Sequence, residues 1–130
     1  MKVLSLFDGI SCGMLALQRA GIPVECYDAF EIDKYAVTVS KRNFPVIVHH
    51  GNVYDGDFTQ FKGYDLLLGG SPCTYWSIAK KDREVDCNGE GFRLFKEYVR
   101  ALEESGCKYF LYENNYSVHQ NIKDEITRVL

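Results

Sequence analysis

The sequence lacks several features that identify whole classes of protein. No apolar run approaches the roughly 18 residues of a membrane-spanning helix. The short apolar stretch at the N-terminus ends at Asp8, before the core of a secretory signal peptide would be complete. Repeats, linkers and low-complexity segments are also missing. We therefore expect one cytoplasmic domain that does not associate with a membrane.

The cysteine pattern is not that of a metal site or a disulfide framework. The five cysteines form an odd set without Cys-x-x-Cys spacing. Such a pattern disfavours both structures and fits a reducing compartment. The adjacent His49 and His50 point in different directions and would make a poor ligand pair. We expect no metal ion.

Positive charge is scarce, since 15 Lys and Arg face 18 Asp and Glu, for a formal net charge of −3. Nonspecific nucleic-acid affinity normally depends on a basic surface, so the composition argues against it without excluding a local basic patch. If the chain binds DNA, most of the positive surface should lie elsewhere. Hydrophobic residues make up 46% of the 130 residues, which is enough for one packed core.

Short apolar segments alternate with helical patterns along the chain. Strands are predicted over residues 3–7, 24–30, 46–48, 64–68 and 108–112, the last two as buried strands. Helices are predicted over 14–20, from an Asp33 cap to about 42, over 92–102, and from a capping box at Ser117 to the final residue. Residues 74–91 are predicted to form a long loop. This alternation predicts an α/β fold, a doubly wound and mostly parallel sheet with helices on both faces.

Two short segments combine the residues of covalent catalysis. Cys73 ends the segment Gly69-Gly70-Ser71-Pro72-Cys73, and Glu113 begins Glu113-Asn114-Asn115. Both follow predicted strands, whose carboxyl ends form the ligand-binding edge of an open α/β sheet. A thiol facing a carboxyl group suits attack on a heterocycle whose ring nitrogen needs a proton. Each residue alone has a commoner interpretation, a buried turn cysteine and a solvated carboxylate.

A glycine-rich segment, Phe7-Asp8-Gly9-Ile10-Ser11-Cys12-Gly13, follows the first predicted strand. Glycines in such a turn allow the backbone to pass close to a ligand. Enzymes that bind nicotinamide dinucleotides use a similar turn, so this segment alone does not select one cofactor.

With these segments in this order, the chain resembles the DNA cytosine-C5 methyltransferases. The segment Gly89-Glu90-Gly91 before Leu94-Phe95 is most similar to their de novo subgroup. The resemblance covers nearly all 130 residues, but less than half of a complete enzyme. It implies the N-terminal part of a catalytic domain, without the target-recognition domain and with a missing C-terminal half or second chain as partner.

The resemblance also implies S-adenosylmethionine as cofactor. Glu31 would bind the ribose hydroxyls, and Asn52 and Val53 would bind adenine, although the family usually has an acid at position 52. The full implied set of cofactor-binding residues is Phe7, Asp8, Gly9, Ile10, Ser11, Cys12, Glu31, Ile32, Asn52, Val53 and Pro72.

In the implied mechanism, the Cys73 thiolate adds to C6 of a flipped cytosine in DNA. Glu113 protonates N3, a role for which a buried carboxyl group is suited. C5 then takes the methyl group, loses its proton, and the thiol is eliminated. The implied substrate-binding residues are Ser77, Lys80, Lys81, Arg83 and Asn114. Three further basic residues share one helix face and are expected to be solvated: Arg93, Lys96 and Arg100.

Three other functions remain open. A noncatalytic module that binds the methyl donor or a partner chain would fit the short chain and Asn52. An RNA cytosine-C5 methyltransferase would keep the same chemistry. A nicotinamide-dependent oxidoreductase would explain the glycines and Glu31, but would leave Cys73 and Glu113 unexplained. The isolated chain is not expected to methylate duplex DNA at a useful rate.

Overall fold

The structure, a computed structural model, describes residues 1–70, 89–113 and 120–130. Its strands are β1 (Lys2–Leu6), β2 (Cys26–Phe30), β3 (Val48–His49), β4 (Leu66–Gly69) and β5 (Tyr109–Tyr112). Its helices are α1 (Cys12–Arg19), α2 (Lys34–Asn43), α3 (Glu90–Ser105) and α4 (Gln120–Val129). The strands form one sheet in the order β3-β2-β1-β4-β5, with every neighbouring pair parallel.

The core lies on both faces of this sheet because successive strand residues point to opposite sides. On one face Leu4 and Leu6 of β1 belong to a cluster that includes Tyr98 of α3. On the other face Val3 belongs to a cluster with Met14 of α1. Helices therefore cover both faces, and the predicted doubly wound α/β fold is confirmed.

The helix ends show how local sequence sets the element boundaries. The Asp33 side chain caps α2 by accepting hydrogen bonds from the backbone N–H groups of Tyr35 and Ala36. Gly106 ends α3 in the left-handed conformation, with φ of 63°. Because α3 begins at Glu90, the last two residues of the loop predicted over 74–91 are helical. The capping box predicted at Ser117 lies outside the described residues.

Two strands differ from their predictions. β3 is limited to Val48–His49, which pairs with β2. β5 was predicted to be buried, and that prediction is wrong: Tyr109, Phe110 and Leu111 are 54%, 45% and 61% exposed. The reason is position in the sheet, since β5 pairs only with β4 in the described part of the chain.

The segment between β3 and β4 contains two 3-10 turns that were not predicted from the sequence, Val53–Asp55 and Phe58–Phe61. A side-chain oxygen caps the start of each turn: that of Asn52 accepts from the Tyr54 N–H, and that of Asp57 accepts from the Thr59 N–H. Among the described residues, no helix is long and apolar enough to cross a membrane.

Candidate functional site

The strand order creates a crevice at the carboxyl edge of the sheet. β2 and β3 lie on one side of β1, whereas β4 and β5 lie on the other. The loops that follow β1 and β4 therefore diverge, and open α/β sheets bind ligands at this reversal point.

A cavity of about 450 Å³ lies at this edge, beside the ends of β1, β2 and β3 and the start of α3. Its volume is within the range of small-molecule sites. Five of the predicted cofactor-binding residues line it, namely Phe7, Glu31, Ile32, Asn52 and Val53. The other lining residues were not predicted as cofactor ligands: Phe30, Gly51, Tyr54, Glu90 and Leu94.

Asp8 in the glycine-rich segment points inward and not into the cavity. Its carboxylate accepts hydrogen bonds from the hydroxyls of Ser5 at 2.7 Å, Tyr27 at 2.6 Å and Ser11. The Ser11 hydroxyl also lies 2.5 Å from that of Ser40. Burial and the Asp8 carboxylate raise the pKa of Tyr27 far above its usual value, so its hydroxyl remains a donor.

This network holds a strained backbone. Phe7, Gly9 and Ser11 all have left-handed φ angles, of 56°, 60° and 71°. Residues other than glycine pay an energetic cost in this region, so the surrounding contacts must fix the conformation. Ser11 is buried, whereas Ile10 and Cys12 are exposed. The residues of this segment other than Phe7 thus shape the cavity through the backbone and do not line it.

Glu31 joins the glycine-rich segment to the start of α2. One carboxylate oxygen accepts from the Gly9 N–H at 2.8 Å, and the other accepts from the N–H groups of Ile32 at 2.9 Å and Asp33 at 3.0 Å. A carboxylate has about four lone-pair positions, so one stays open to a ligand hydroxyl. The Asn52 amide oxygen likewise accepts from the Tyr54 N–H at 2.9 Å and keeps a second lone pair.

The charge of the cavity restricts its ligand. Among its described lining residues, Glu31 and Glu90 are acidic and none is basic, while Phe7, Val53 and Leu94 are apolar. Carboxylates repel the phosphates of a dinucleotide and attract a cation. The cavity therefore suits a ligand with hydroxyls, an aromatic part and a positive charge.

Arg100 binds the backbone of the turn that forms one wall of this cavity. The prediction that its side chain is solvated is therefore wrong. The guanidinium donates to the carbonyl oxygens of Val53 at 2.9 Å and Gly56 at 2.8 Å. It also lies 4.5 Å from the centroid of the Phe58 ring and pairs with Glu104. These contacts fix the turn that carries Val53. Sequence periodicity could not predict these contacts, because Gly56 and Val53 are 44 and 47 residues away from Arg100 in the chain.

Replacing Arg100 with methionine is expected to lower the free energy of unfolding by about 2–3 kcal/mol. The two carbonyl oxygens lose their donors, and two nearby glutamates lose their counter-charge. Urea unfolding followed by circular dichroism measures the change. Arg93→Met is the matched control, because Arg93 lies on the same helix with a 69% exposed side chain and should change stability by less than about 0.5 kcal/mol. Equal effects of the two variants would contradict the role given to Arg100.

Glu113 follows β5 directly, and its N–H donates to the Gly69 carbonyl of β4 at 2.9 Å. A β-carbon on Gly70 would lie 1.8 Å from the Glu113 carbonyl oxygen and 3.3 Å from a carboxylate oxygen. The Glu113 carboxylate thus lies over the start of the segment that leads to Cys73. Glu113 is exposed to solvent. The burial that would suit a catalytic acid is therefore not provided by the described residues around it.

The remaining predicted site residues lie outside the described ranges. They are Pro72, Cys73, Ser77, Lys80, Lys81, Arg83 and Asn114. In the sequence, the first six lie between β4 and α3, and Asn114 lies between β5 and α4.

Comparison with known proteins identifies the family of this chain. The family model for C-5 cytosine-specific DNA methylase matches residues 1–130. The orphan methyltransferase M.SPRI of Bacillus phage SPR is 38% identical over 118 residues, covering 88% of this chain and 26% of the relative. The type II methyltransferase M.HgiCII of Herpetosiphon aurantiacus is 34% identical over 116 residues, covering 87% and 25%. The chain therefore spans about a quarter of the length of these curated relatives.

Solved structures show the same fold. A DNMT2 variant from Spodoptera frugiperda superposes with a TM-score of 0.71 at 24% identity, covering 98% of this chain and 40% of that one. The Dnmt2 methyltransferase of S. pombe gives 0.63 at 17% identity, covering 98% and 41%.

These matches confirm the resemblance found in the sequence and the methyltransferase fold. They also confirm S-adenosylmethionine as the cofactor, in agreement with the acidic, hydroxyl-accepting cavity. The chain belongs to the C-5 cytosine-specific DNA methylase family.

Proposed function

We propose that this chain is the N-terminal part of the catalytic domain of a DNA cytosine-C5 methyltransferase. One observation carries the proposal: the acidic cavity at the ends of β1 to β3 lies on the same sheet edge as Glu113, beside the segment that leads to Cys73. The proposed donor site and the proposed acid would thus share the carboxyl edge of one sheet. The target-recognition domain and the rest of the catalytic domain would come from outside these 130 residues.

S-adenosylmethionine, when bound, supplies a methyl group on a positively charged sulfur. The open lone pair of Glu31 would accept a ribose hydroxyl, and that of Asn52 would accept from the adenine amino group. Phe7, Val53 and Leu94 supply apolar walls for the adenine ring. The backbone of the glycine-rich segment would approach the rest of the donor.

The residues of this chain would carry out the covalent chemistry. The Cys73 thiolate forms a bond to C6 of cytosine while Glu113 gives a proton to N3. The resulting enamine carbon, C5, would take the methyl group, which leaves the donor sulfur as a neutral thioether. Loss of the C5 proton to a base, cleavage of the C6–sulfur bond and return of the N3 proton to Glu113 would then release 5-methylcytosine and the thiolate. The covalent step replaces one difficult attack with easier ones.

Substrate contacts would come from the segments beside these two residues. Lys80, Lys81 and Arg83 would contact phosphates, and Ser77 and Asn114 would position the base and its loop. With a net charge of −3, the chain leaves most of the DNA-binding surface to the missing part. A cytosine must leave the duplex to reach this edge.

Replacing Glu31 with alanine is expected to weaken S-adenosylhomocysteine binding by about 1–3 kcal/mol, because ligand hydroxyls and three backbone N–H groups lose their acceptor. Titration calorimetry at millimolar ligand measures the change. Glu25→Ala is the matched control, since Glu25 lies before β2 and Glu31 after it.

The same titration tests the proposed function. Wild-type protein is expected to bind with poor affinity, because the family's C-terminal contribution to the pocket is absent from these residues. A folded wild-type chain that produces no heat at millimolar ligand would overturn the proposal. Equal affinities of Glu31→Ala and Glu25→Ala would show that Glu31 does not contribute to ligand binding.

A further inference from the structure

The outer side of the cavity is crossed by a hydrogen bond between two residues that are far apart in sequence. The Tyr54 hydroxyl donates to a carboxylate oxygen of Glu90 at 2.6 Å. Tyr54 lies in the first 3-10 turn, and Glu90 is the first residue of α3. Both side chains line the 450 Å³ cavity.

This bond does not serve the hydrophobic core. Neither residue belongs to any of the three core clusters of the described chain, whereas the neighbouring Val53 does. The Tyr54 side chain is 45% exposed even though it is a large aromatic residue. Tyr54 is thus only partly buried, and its bond to Glu90 is the contact that joins it to α3.

A further wall residue lies on the same helix as Glu90. Leu94 lies about one helical turn after Glu90 and so faces the same side of α3. Arg100 ties the later part of α3 to the inner side of the turn through Val53 and Gly56. The Tyr54–Glu90 bond ties the first turn of α3 to the outer side. Together the two links fix the distance between the turn and the helix across the cavity.

The ionisation of Tyr54 fits this arrangement. Loss of solvent around its hydroxyl, together with the Glu90 carboxylate, raises the pKa of Tyr54 to about 12. The Tyr54 hydroxyl therefore remains protonated at neutral pH and can donate to Glu90.

We propose that Tyr54 and Glu90 form a positioning pair that closes the outer side of the methyl-donor cavity and sets its affinity for the adenosine part of the ligand. This inference rests on the proposed function, because the ligand is the one assigned there. It adds two residues that make no contribution to the chemistry and act through the width of the cavity.

The test is a double-mutant cycle read by titration calorimetry with S-adenosylhomocysteine. Tyr54→Phe and Glu90→Ala are each expected to weaken binding about threefold to tenfold, the effect of one exposed hydrogen bond. The double variant should bind no more weakly than the weaker of the two single variants, because each single substitution already removes the same bond. Glu90→Gln keeps an acceptor oxygen for the Tyr54 hydroxyl and should lose less affinity than Glu90→Ala.

Two controls separate positioning from general damage. Tyr109→Phe removes a hydroxyl from an exposed tyrosine on β5, outside the cavity, and should leave affinity unchanged. Every variant should melt within about 5 °C of wild type, because one exposed hydrogen bond contributes little to folding stability. Wild-type affinity in Tyr54→Phe, or additive losses in the double variant, would overturn the inference. No binding by the wild-type protein would instead overturn the proposed function on which it rests.

Discussion

Replacing Gly70 with alanine is expected to lower the free energy of unfolding by more than about 3 kcal/mol, at the upper end of overpacking effects. The added β-carbon would lie 1.8 Å from the Glu113 carbonyl oxygen and 2.9 Å from its carbonyl carbon. Both are backbone atoms, so a change of side-chain rotamer cannot relieve the clash. The ends of β4 and β5 would have to separate, and the 2.9 Å hydrogen bond from Glu113 to Gly69 would break.

Urea unfolding of Gly70→Ala and Gly106→Ala tests this prediction. Gly106 has a φ of 63° but no atom within 4 Å of its added β-carbon. Its replacement should cost only the left-handed backbone strain, about 1–2 kcal/mol. Equal stability of the two variants would show that the close approach of Gly70 and Glu113 is not a feature of the folded protein.

Replacing Cys73 with serine is expected to abolish covalent trapping on DNA that contains 5-fluorocytosine. The fluorine at C5 cannot be lost as a proton, so the bond between sulfur and C6 persists once the methyl group has been taken. The isolated chain should form no adduct with duplex DNA, because it lacks the positioning that accounts for much of enzymatic rate enhancement. When the C-terminal part of a similar enzyme is supplied, the wild-type chain should form the adduct.

Intact mass measurement of the denatured protein detects that adduct. Cys26→Ser is the matched control, since Cys26 is a free cysteine at the start of β2, away from the carboxyl edge of the sheet, and its adduct yield should equal that of wild type. An adduct that survives Cys73→Ser would assign the nucleophile elsewhere. Efficient trapping by the isolated chain would show that the missing part is not needed for base capture.

The sequence predicts features that depend on neighbours along the chain. The Asp33 cap, the Gly106 stop and the alternation of strands with helices are all local signals, and the structure contains each of them. The placement of Glu31 after β2 follows from the same reasoning. The bond that Glu31 accepts from the Gly9 N–H was not predicted, because Gly9 is 22 residues away in the chain.

Features that depend on distant partners were missed. Nothing near Arg100 in sequence indicates that its guanidinium binds the carbonyls of Val53 and Gly56. The exposure of β5 could not be read from an apolar run, because burial depends on whether a strand lies inside a sheet or at its edge. The Tyr54–Glu90 bond was missed for the same reason, since its partners are 36 residues apart.

The central claim is that the cavity between the glycine-rich segment and α3 binds the methyl donor. Amide chemical shifts of the nitrogen-15 labelled chain, recorded while S-adenosylhomocysteine is added, test it most directly. The account predicts shifts that cluster at the backbone of the glycine-rich segment and at Glu31, Asn52, Val53 and Leu94. A second groove lies between α3 and α4, lined by residues that include Phe92, Val99 and Val129. Shifts confined to that groove, or none from a folded chain at millimolar ligand, would contradict the claim.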